Sequence, residues 1–291
     1  MTAALYARRN GKTALVIEKN GFGGQITHSP KVENFPGTIT ISGTELADSM
    51  MSQILEQGAD IEIETVTSVE TAGDKKTVKT EEGGVYESYA VIIATGVKHR
   101  LLGLEGEAEL IGEGISFCAV CDGDFYTGKT VLMAGGGNSA LQEAILLSDK
   151  CEKVIMLQDL PYFTGEESLQ KLLFSRSNVS SLTGVKITKL LTEGGEFRGV
   201  QIEKDGETQE IYADGLFVAI GLIPENKPFE NLAELNDYGY FDSDENCTTK
   251  TPGVFVAGDC RSKYIRQVTT AAADGTIAAL AACRYINEIR R

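Results

Sequence analysis

Cys118 and Cys121 are separated by two residues and followed at once by an acid, in the run Phe117-Cys118-Ala119-Val120-Cys121-Asp122-Gly123-Asp124. Thiols at this spacing can close a small ring by oxidation and reopen it by reduction. Thiol–disulfide exchange needs a thiolate to attack and a protonated sulfur to leave, and Asp122 beside the second thiol could supply that proton. Taken alone, the pair reads equally as half of a zinc site or as two buried cysteines, so its surroundings must decide.

The other cysteines, Cys151, Cys247, Cys260 and Cys283, are isolated in the sequence. That is not the framework of a disulfide-stapled secreted domain, and they are expected as small buried apolar residues. His28 and His99 stand far from the pair, so no Cys/His zinc set assembles and no metal is expected. The net charge of −15 disfavours nucleic acid and anionic membrane as partners. No apolar run reaches the roughly 20 residues of a membrane span. The first ten residues place their basic side chains after the apolar ones, unlike a signal peptide. A cytoplasmic location is therefore expected.

The 291 residues suffice for about two domains. A helical stretch, Thr2 to Arg9, ends near Gly11 and precedes the apolar run Leu15-Val16-Ile17 closed by Glu18. This is the second half of a βαβ dinucleotide unit, in which the strand-end acid holds a ribose hydroxyl. The first strand and its glycine loop are expected upstream of Met1, so the recorded start is expected to be late. Glycine-bearing turns follow at Gly21 to Gly24 and at Gly37, then a helix from about Gly43 to Gln57. Strands of a meander are expected over Ala59 to Val69 and Lys76 to Tyr86, and a buried strand over Tyr89 to Gly96. A second unit begins at Lys129. It comprises the strand Thr130 to Ala134, the turn Gly135-Gly136-Gly137-Asn138, a helix to Leu147 and a strand over Lys153 to Leu157. A second meander (Val185 to Tyr212), buried strands ending at Gly221 and at Gly258-Asp259, and an Ala-rich helix from about Gln267 to Glu288 complete the chain.

Assembled, these blocks closely resemble the low-molecular-weight thioredoxin reductases. The likeness rests on Gly23-Gly24-Gln25, Glu33-Asn34-Phe35-Pro36-Gly37, Ala94-Thr95-Gly96, the Cys118 run, Gly135 to Ala144, Val218 to Gly221, Pro252 to Asp259 and Arg266-Gln267-Val268. The resemblance implies an α/β fold of two Rossmann-like domains, the second inserted in the first and each with a β-meander. Residues 1–103 and 223–291 would form the FAD-binding domain, and 104–222 the NAD(P)-type domain carrying the cysteines. It further implies FAD held by Glu18, Gly23, Gly24, Gln25, Asn34, Thr95, Gly96, Asp259, Arg266, Gln267 and Val268. Cys121 would face the flavin, Cys118 would attack the disulfide of thioredoxin, and Asp122 would serve as general acid and base. Family members are homodimers whose central domain rotates to present the dithiol to flavin or partner in turn.

One block departs from the family. NADPH-dependent members carry His-Arg-Arg and a further Arg after the second strand of the inner unit, to grip the 2′-phosphate. Here Leu157-Gln158-Asp159-Leu160-Pro161-Tyr162-Phe163-Thr164-Gly165 has no basic residue, and Gln142 stands where the family commonly has Glu. Asp159 would repel a phosphate. The resemblance extends to family members that lack this basic motif and take electrons from ferredoxin or an unknown reductant, and so implies ferredoxin rather than NADPH as donor, with NADPH or NADH as the alternative. A redox-silent truncated homologue, a ferredoxin–NADP reductase of this shape and a reductase feeding a peroxide-removing partner are the rival classes.

Overall fold

The computed structural model describes residues 1–29 and 32–291. The chain divides into two compact units, the first made of 1–27, 35–98 and 223–291 and the second of 28–34 and 99–222. The crossing out of the first unit comes at Lys98–His99, where the sequence placed it after residue 103. The two crossing segments, Val97–His99 and Leu222–Pro224, pair with each other as a two-stranded ribbon.

The second unit is built on a five-stranded parallel sheet in the order Val179–Thr183, Lys153–Gln158, Thr130–Ala134, Gly215–Val218, Ile115–Ser116. Its central strands are continuous apolar runs because both faces are covered. Helix Asn138–Ser148 covers one face with Leu141, Ala144 and Leu147. On the other lies the antiparallel sheet of Lys186–Glu193, Glu196–Lys204 and Glu207–Tyr212, through Leu190, Phe197, Val200 and Ile202. The turn from Thr130–Ala134 into the helix requires glycine. Gly135 has φ +129°, and a Cβ there would lie 2.5 Å from the Ala219 carbonyl oxygen. These are the strand, glycine turn, helix and strand predicted for residues 129–157.

In the first unit, Leu15–Glu18 pairs in parallel with Asp60–Ile63, and Val91–Ile93 with Val254–Val256. Among the described residues no hydrogen-bonded strand joins these two pairs. The expected single strand over Ala59 to Val69 is in fact two. Its first part takes Leu15–Glu18 as partner, and the meander begins only at Val66, as Val66–Ala72, Lys75–Thr80 and Val85–Ser88. Both halves are β-forming, so propensity could not show where the chain changes sheets. Helix Gly43–Glu56 is started by a capping box between Ser42 and Glu45. Helix Val268–Ile289 packs on Thr2–Arg9, where a Cβ on Gly275 would come within 3.2 Å of the Ala3 nitrogen.

A buried ion cluster ties the last helix to the strand that ends at Val256. Asp274 accepts from Arg261 (3.0 Å), Lys263 (2.8 Å) and the Gly258 backbone N–H (3.0 Å), and both Asp274 and Arg261 are 8% exposed. Removing the anion strands two cations away from water. Asp274→Ala should lower the unfolding free energy by about 3–5 kcal/mol, measured by denaturant titration of the full chain; an unchanged midpoint would refute the assignment.

Candidate redox site

Cys118 and Cys121 form a disulfide, with Cα atoms 5.3 Å apart. The pair sits on a single helical turn, Ala119–Asp122, directly after the edge strand Ile115–Ser116. Cys118 begins this turn. Its sulfur accepts the Cys121 N–H at 3.2 Å and its carbonyl accepts the Asp122 N–H at 3.0 Å. An N–H aimed at Sγ favours the anion that forms when the ring opens. Ala119 is buried against helix Asn138–Ser148, whereas Val120 between the sulfurs is exposed. The turn is thus anchored on one side and open on the other.

Asp122 is held by Ser116, whose hydroxyl donates to Oδ2 at 2.6 Å and accepts the Cys118 N–H at 3.1 Å. The second oxygen, Oδ1, is buried without a partner. Burial raises the Asp122 pKa above the usual carboxylate range, while the Ser116 hydroxyl pulls the other way. An unsatisfied carboxylate oxygen with a raised pKa is suited to proton transfer.

Three neighbours were not predicted for the site. Ser116 gave no signal beyond its position two residues before Cys118. Glu143 lies in the block that carried the family likeness, yet only its neighbour Gln142 drew attention. His99 was set aside as distant in sequence, but its ring stacks on Phe117 at 4.4 Å between centroids. Burial first, and then His28, push the His99 pKa down to about 4. Its imidazole is therefore neutral at physiological pH. Cys151, Cys247, Cys260 and Cys283 are buried free thiols, although Cys247 is more than an apolar filler, since Arg261 Nη1 donates to its sulfur at 3.1 Å.

The residues expected to hold a cofactor lie in the first unit, with one exception. Glu18 ends its strand and accepts the Asn20 N–H at 3.0 Å. Gly23 and Gly24, both with positive φ, lead into the turn Gly24–His28, and Gln25 donates to the Val97 carbonyl at 3.2 Å. Thr95 donates to buried Asn226 at 3.0 Å, and Gly96 has positive φ with open space where a Cβ would stand. Asp259 has a buried Oδ1 without a partner, and burial raises its pKa. Such an oxygen suits a hydroxyl-bearing ligand. Arg266 lies over the Tyr240 ring at 4.3 Å, and Gln267 caps the helix that starts at Val268. The exception is Asn34, which groups with the second unit; its amide nitrogen lies 3.9 Å from the Cys121 sulfur.

At the end of strand Lys153–Gln158, Gln158 is buried. Its amide lies against Gly136 and donates to the Tyr162 carbonyl at 3.2 Å. Asp159 accepts the Leu160 N–H at 2.8 Å and is exposed. The glycine turn is built as for a dinucleotide, but the stretch beside it is acidic.

A disulfide on the turn that leaves a parallel nucleotide-fold sheet, beside a buried carboxyl group, defines the class, a disulfide oxidoreductase of α/β architecture. The family model for pyridine nucleotide-disulphide oxidoreductases matches residues 1–275, and the chain belongs to this family, in its low-molecular-weight thioredoxin reductase branch. The chain is 37% identical to thioredoxin reductase of Bacillus subtilis over 100% of its own length and 92% of the relative's. It is 39% identical, over 98% and 93% respectively, to a 34.2 kDa protein in the rubredoxin operon of Clostridium pasteurianum. The crystal structure of thioredoxin reductase from Streptococcus pyogenes superposes with a TM-score of 0.92 at 34% identity, covering 99% of this chain and 94% of that one.

Ser116→Ala removes a hydrogen bond that favours ionised Asp122. The Asp122 pKa should rise further, by about one unit. Carboxyl-labelled NMR titration of the oxidised protein would read this directly, and an unmoved or lowered pKa would contradict the role given to the hydroxyl.

Proposed function

We propose that this chain is a flavin-dependent thioredoxin reductase that draws its electrons from ferredoxin rather than from NADPH. The observation that carries the reading is the Cys118–Cys121 disulfide beside the unsatisfied oxygen of Asp122. FAD would be held in the first unit by Glu18, Gly23, Gly24, Gln25, Thr95, Gly96, Asp259, Arg266, Gln267 and Val268. The orphaned Asp259 oxygen supports this, because a ribityl hydroxyl would satisfy it. Asn34, also expected to line FAD, groups with the second unit beside the Cys121 sulfur. Bound FAD would supply the electron pair that opens the disulfide.

The chain's own groups account for the remaining chemistry. Opening the S–S bond with two electrons and two protons leaves two thiols, and the Cys121 N–H stabilises negative charge on Cys118. Cys118 passes its proton to Asp122, and its thiolate attacks the disulfide of thioredoxin, forming a mixed disulfide and displacing one partner thiolate, which takes that proton from Asp122. Cys121, deprotonated by Asp122, then attacks the Cys118 sulfur, breaks the mixed disulfide and displaces the second partner thiolate, which takes that proton. The internal disulfide reforms and thioredoxin leaves with both thiols.

The donor assignment follows from charge. A 2′-phosphate needs bidentate or Coulombic partners, and residues 157–165 supply none while Asp159 adds repulsion. The Clostridium pasteurianum relative is described by its place in a rubredoxin operon, which supports an iron-containing protein as donor. A second reading, NADH, is favoured by the intact glycine turn and by Asp159 at the strand end, where an acid can hold a free 2′-hydroxyl. No helix among the described residues is long and apolar enough to cross a membrane, and we place the protein in the cytoplasm as a homodimer.

Stopped-flow mixing of the oxidised flavoprotein with reduced ferredoxin should bleach the flavin within one turnover, whereas NADPH should not. Rapid bleaching by NADPH would overturn the donor assignment. Cys121→Ser should lose thioredoxin reduction by at least about 10³-fold while keeping the flavin absorbance. A variant that still reduces thioredoxin would overturn the roles of the two sulfurs.

A further inference from the structure

The reaction above leaves one carboxyl group beside the redox turn unused. Glu143 sits in the middle of helix Asn138–Ser148, and its Oε2 accepts the N–H of Ala119 at 3.3 Å. Ala119 is the first residue of the turn that Cys118 begins and Cys121 occupies. The helix brings Glu143 there among apolar neighbours, since Ala140, Leu141, Ala144 and Leu147 on the same helix pack with Ala119 in one buried cluster.

The charged groups on the elements around Glu143 are otherwise engaged. On the outer helix Glu167–Phe174, Lys171 pairs with Glu167. Beyond the end of its own helix, Asp149 pairs with Arg176 and Lys150 with Asp124. Asn138, at the helix start, bonds Glu166. Lys153 is exposed at the start of its strand, and the Tyr126 phenol, pushed up to about 12 by burial, stays neutral. Among the described residues only Asp122 acts on Glu143 as a charge. Burial, then the repulsion of Asp122, push the Glu143 carboxyl up to about 7 against the opposing pull of the Ala119 N–H.

We propose that Glu143 is a positioning residue for the dithiol: its carboxyl fixes the start of the redox turn through the Ala119 N–H and, once ionised, opposes thiolate formation at Cys118 and Cys121. This rests on the reading of the two cysteines as a dithiol that opens and closes. Two carboxyl groups flank one turn with no neutralising cation, so ionising the second is costly and the pair retains a proton near neutrality. The proton demand of the sulfurs is thereby tied to the charge on Glu143. With Glu143 neutral, thiolate forms readily. With Glu143 charged, the thiols stay protonated to higher pH.

The test reads the thiols directly, without donor or thioredoxin, so its result is separable from that of the donor screen and of Cys121→Ser. The full-length protein is reduced with excess dithiothreitol, freed of reductant and alkylated with iodoacetamide across a pH series, with Cys118 labelling followed by mass spectrometry. Glu143→Gln keeps an oxygen for the Ala119 N–H but removes the charge. It should shift the labelling midpoint down by about one unit, a roughly tenfold faster reaction below the midpoint. Glu143→Asp, which keeps a charge, should remain closer to wild type. A Glu143→Gln midpoint equal to wild type overturns the proposal. Should that variant fail to fold, carboxyl-labelled NMR of the wild-type protein decides: the Glu143 pKa must differ between the disulfide and dithiol forms, and an identical value in both overturns the proposal equally.

Discussion

The site depends on keeping carboxyl groups out of water next to sulfur. An exposed aspartate would be ionised at neutral pH and have no proton to give. Burial beside the redox turn raises the Asp122 pKa, and the Ser116 hydroxyl pulls the other way. The same enclosure carries Glu143 from 4.5 to about 7, a cost to its ionised form of roughly 3 kcal/mol. A single exposed cation turned into this space would reverse both effects. Among the described residues none does so, and Lys150, Lys171 and Arg176 are bound to acids at the periphery.

The scaffold makes this enclosure possible. A parallel sheet buried on both faces fixes the ends of its strands rigidly, and the redox turn grows directly from one of them. Helix Asn138–Ser148 can lie close to the sheet because Gly135 accepts a backbone conformation and an approach to the Ala219 carbonyl that no side chain permits. The glycines that mark a dinucleotide fold therefore have a second task here. They hold the helix carrying Glu143 against the turn carrying the cysteines. This structural demand preserves the glycine turn whether or not a dinucleotide ever binds it.

Much of this was legible in the sequence where the physics is local. The strand–glycine–helix–strand order from Lys129 to Leu157, the cysteine pair at Cys118 and Cys121 and the terminal helices all follow from spacing and residue type. What remained hidden depends on the third dimension. Ser116 and Asp122 meet because a strand and a turn fold back on each other. His99 and Phe117 stack although eighteen positions apart in numbering, and Glu143 reaches Ala119 across helix packing. The split of residues 59–69 between two sheets was equally invisible, because both parts favour strands and only partner choice separates them.

Two strand ends at the carboxyl edge of the inner unit's parallel sheet differ in what their charge does. At the redox turn, burial with no cation acting among the described residues raises the pKa of Asp122 and of Glu143. At the end of strand Lys153–Gln158, the absence of cations removes the means of holding a 2′-phosphate, and buried Gln158 fills the space against Gly136 with an amide that neither attracts nor repels an anion. A basic pair at this second end would bring a dinucleotide to the glycine turn whose helix also carries Glu143. Charge placed there would act along that helix toward the redox turn, so the donor site and the proton site are not electrostatically independent. A chain that takes electrons from a protein donor is free of that coupling, and its dithiol can be tuned by the two carboxyl groups alone.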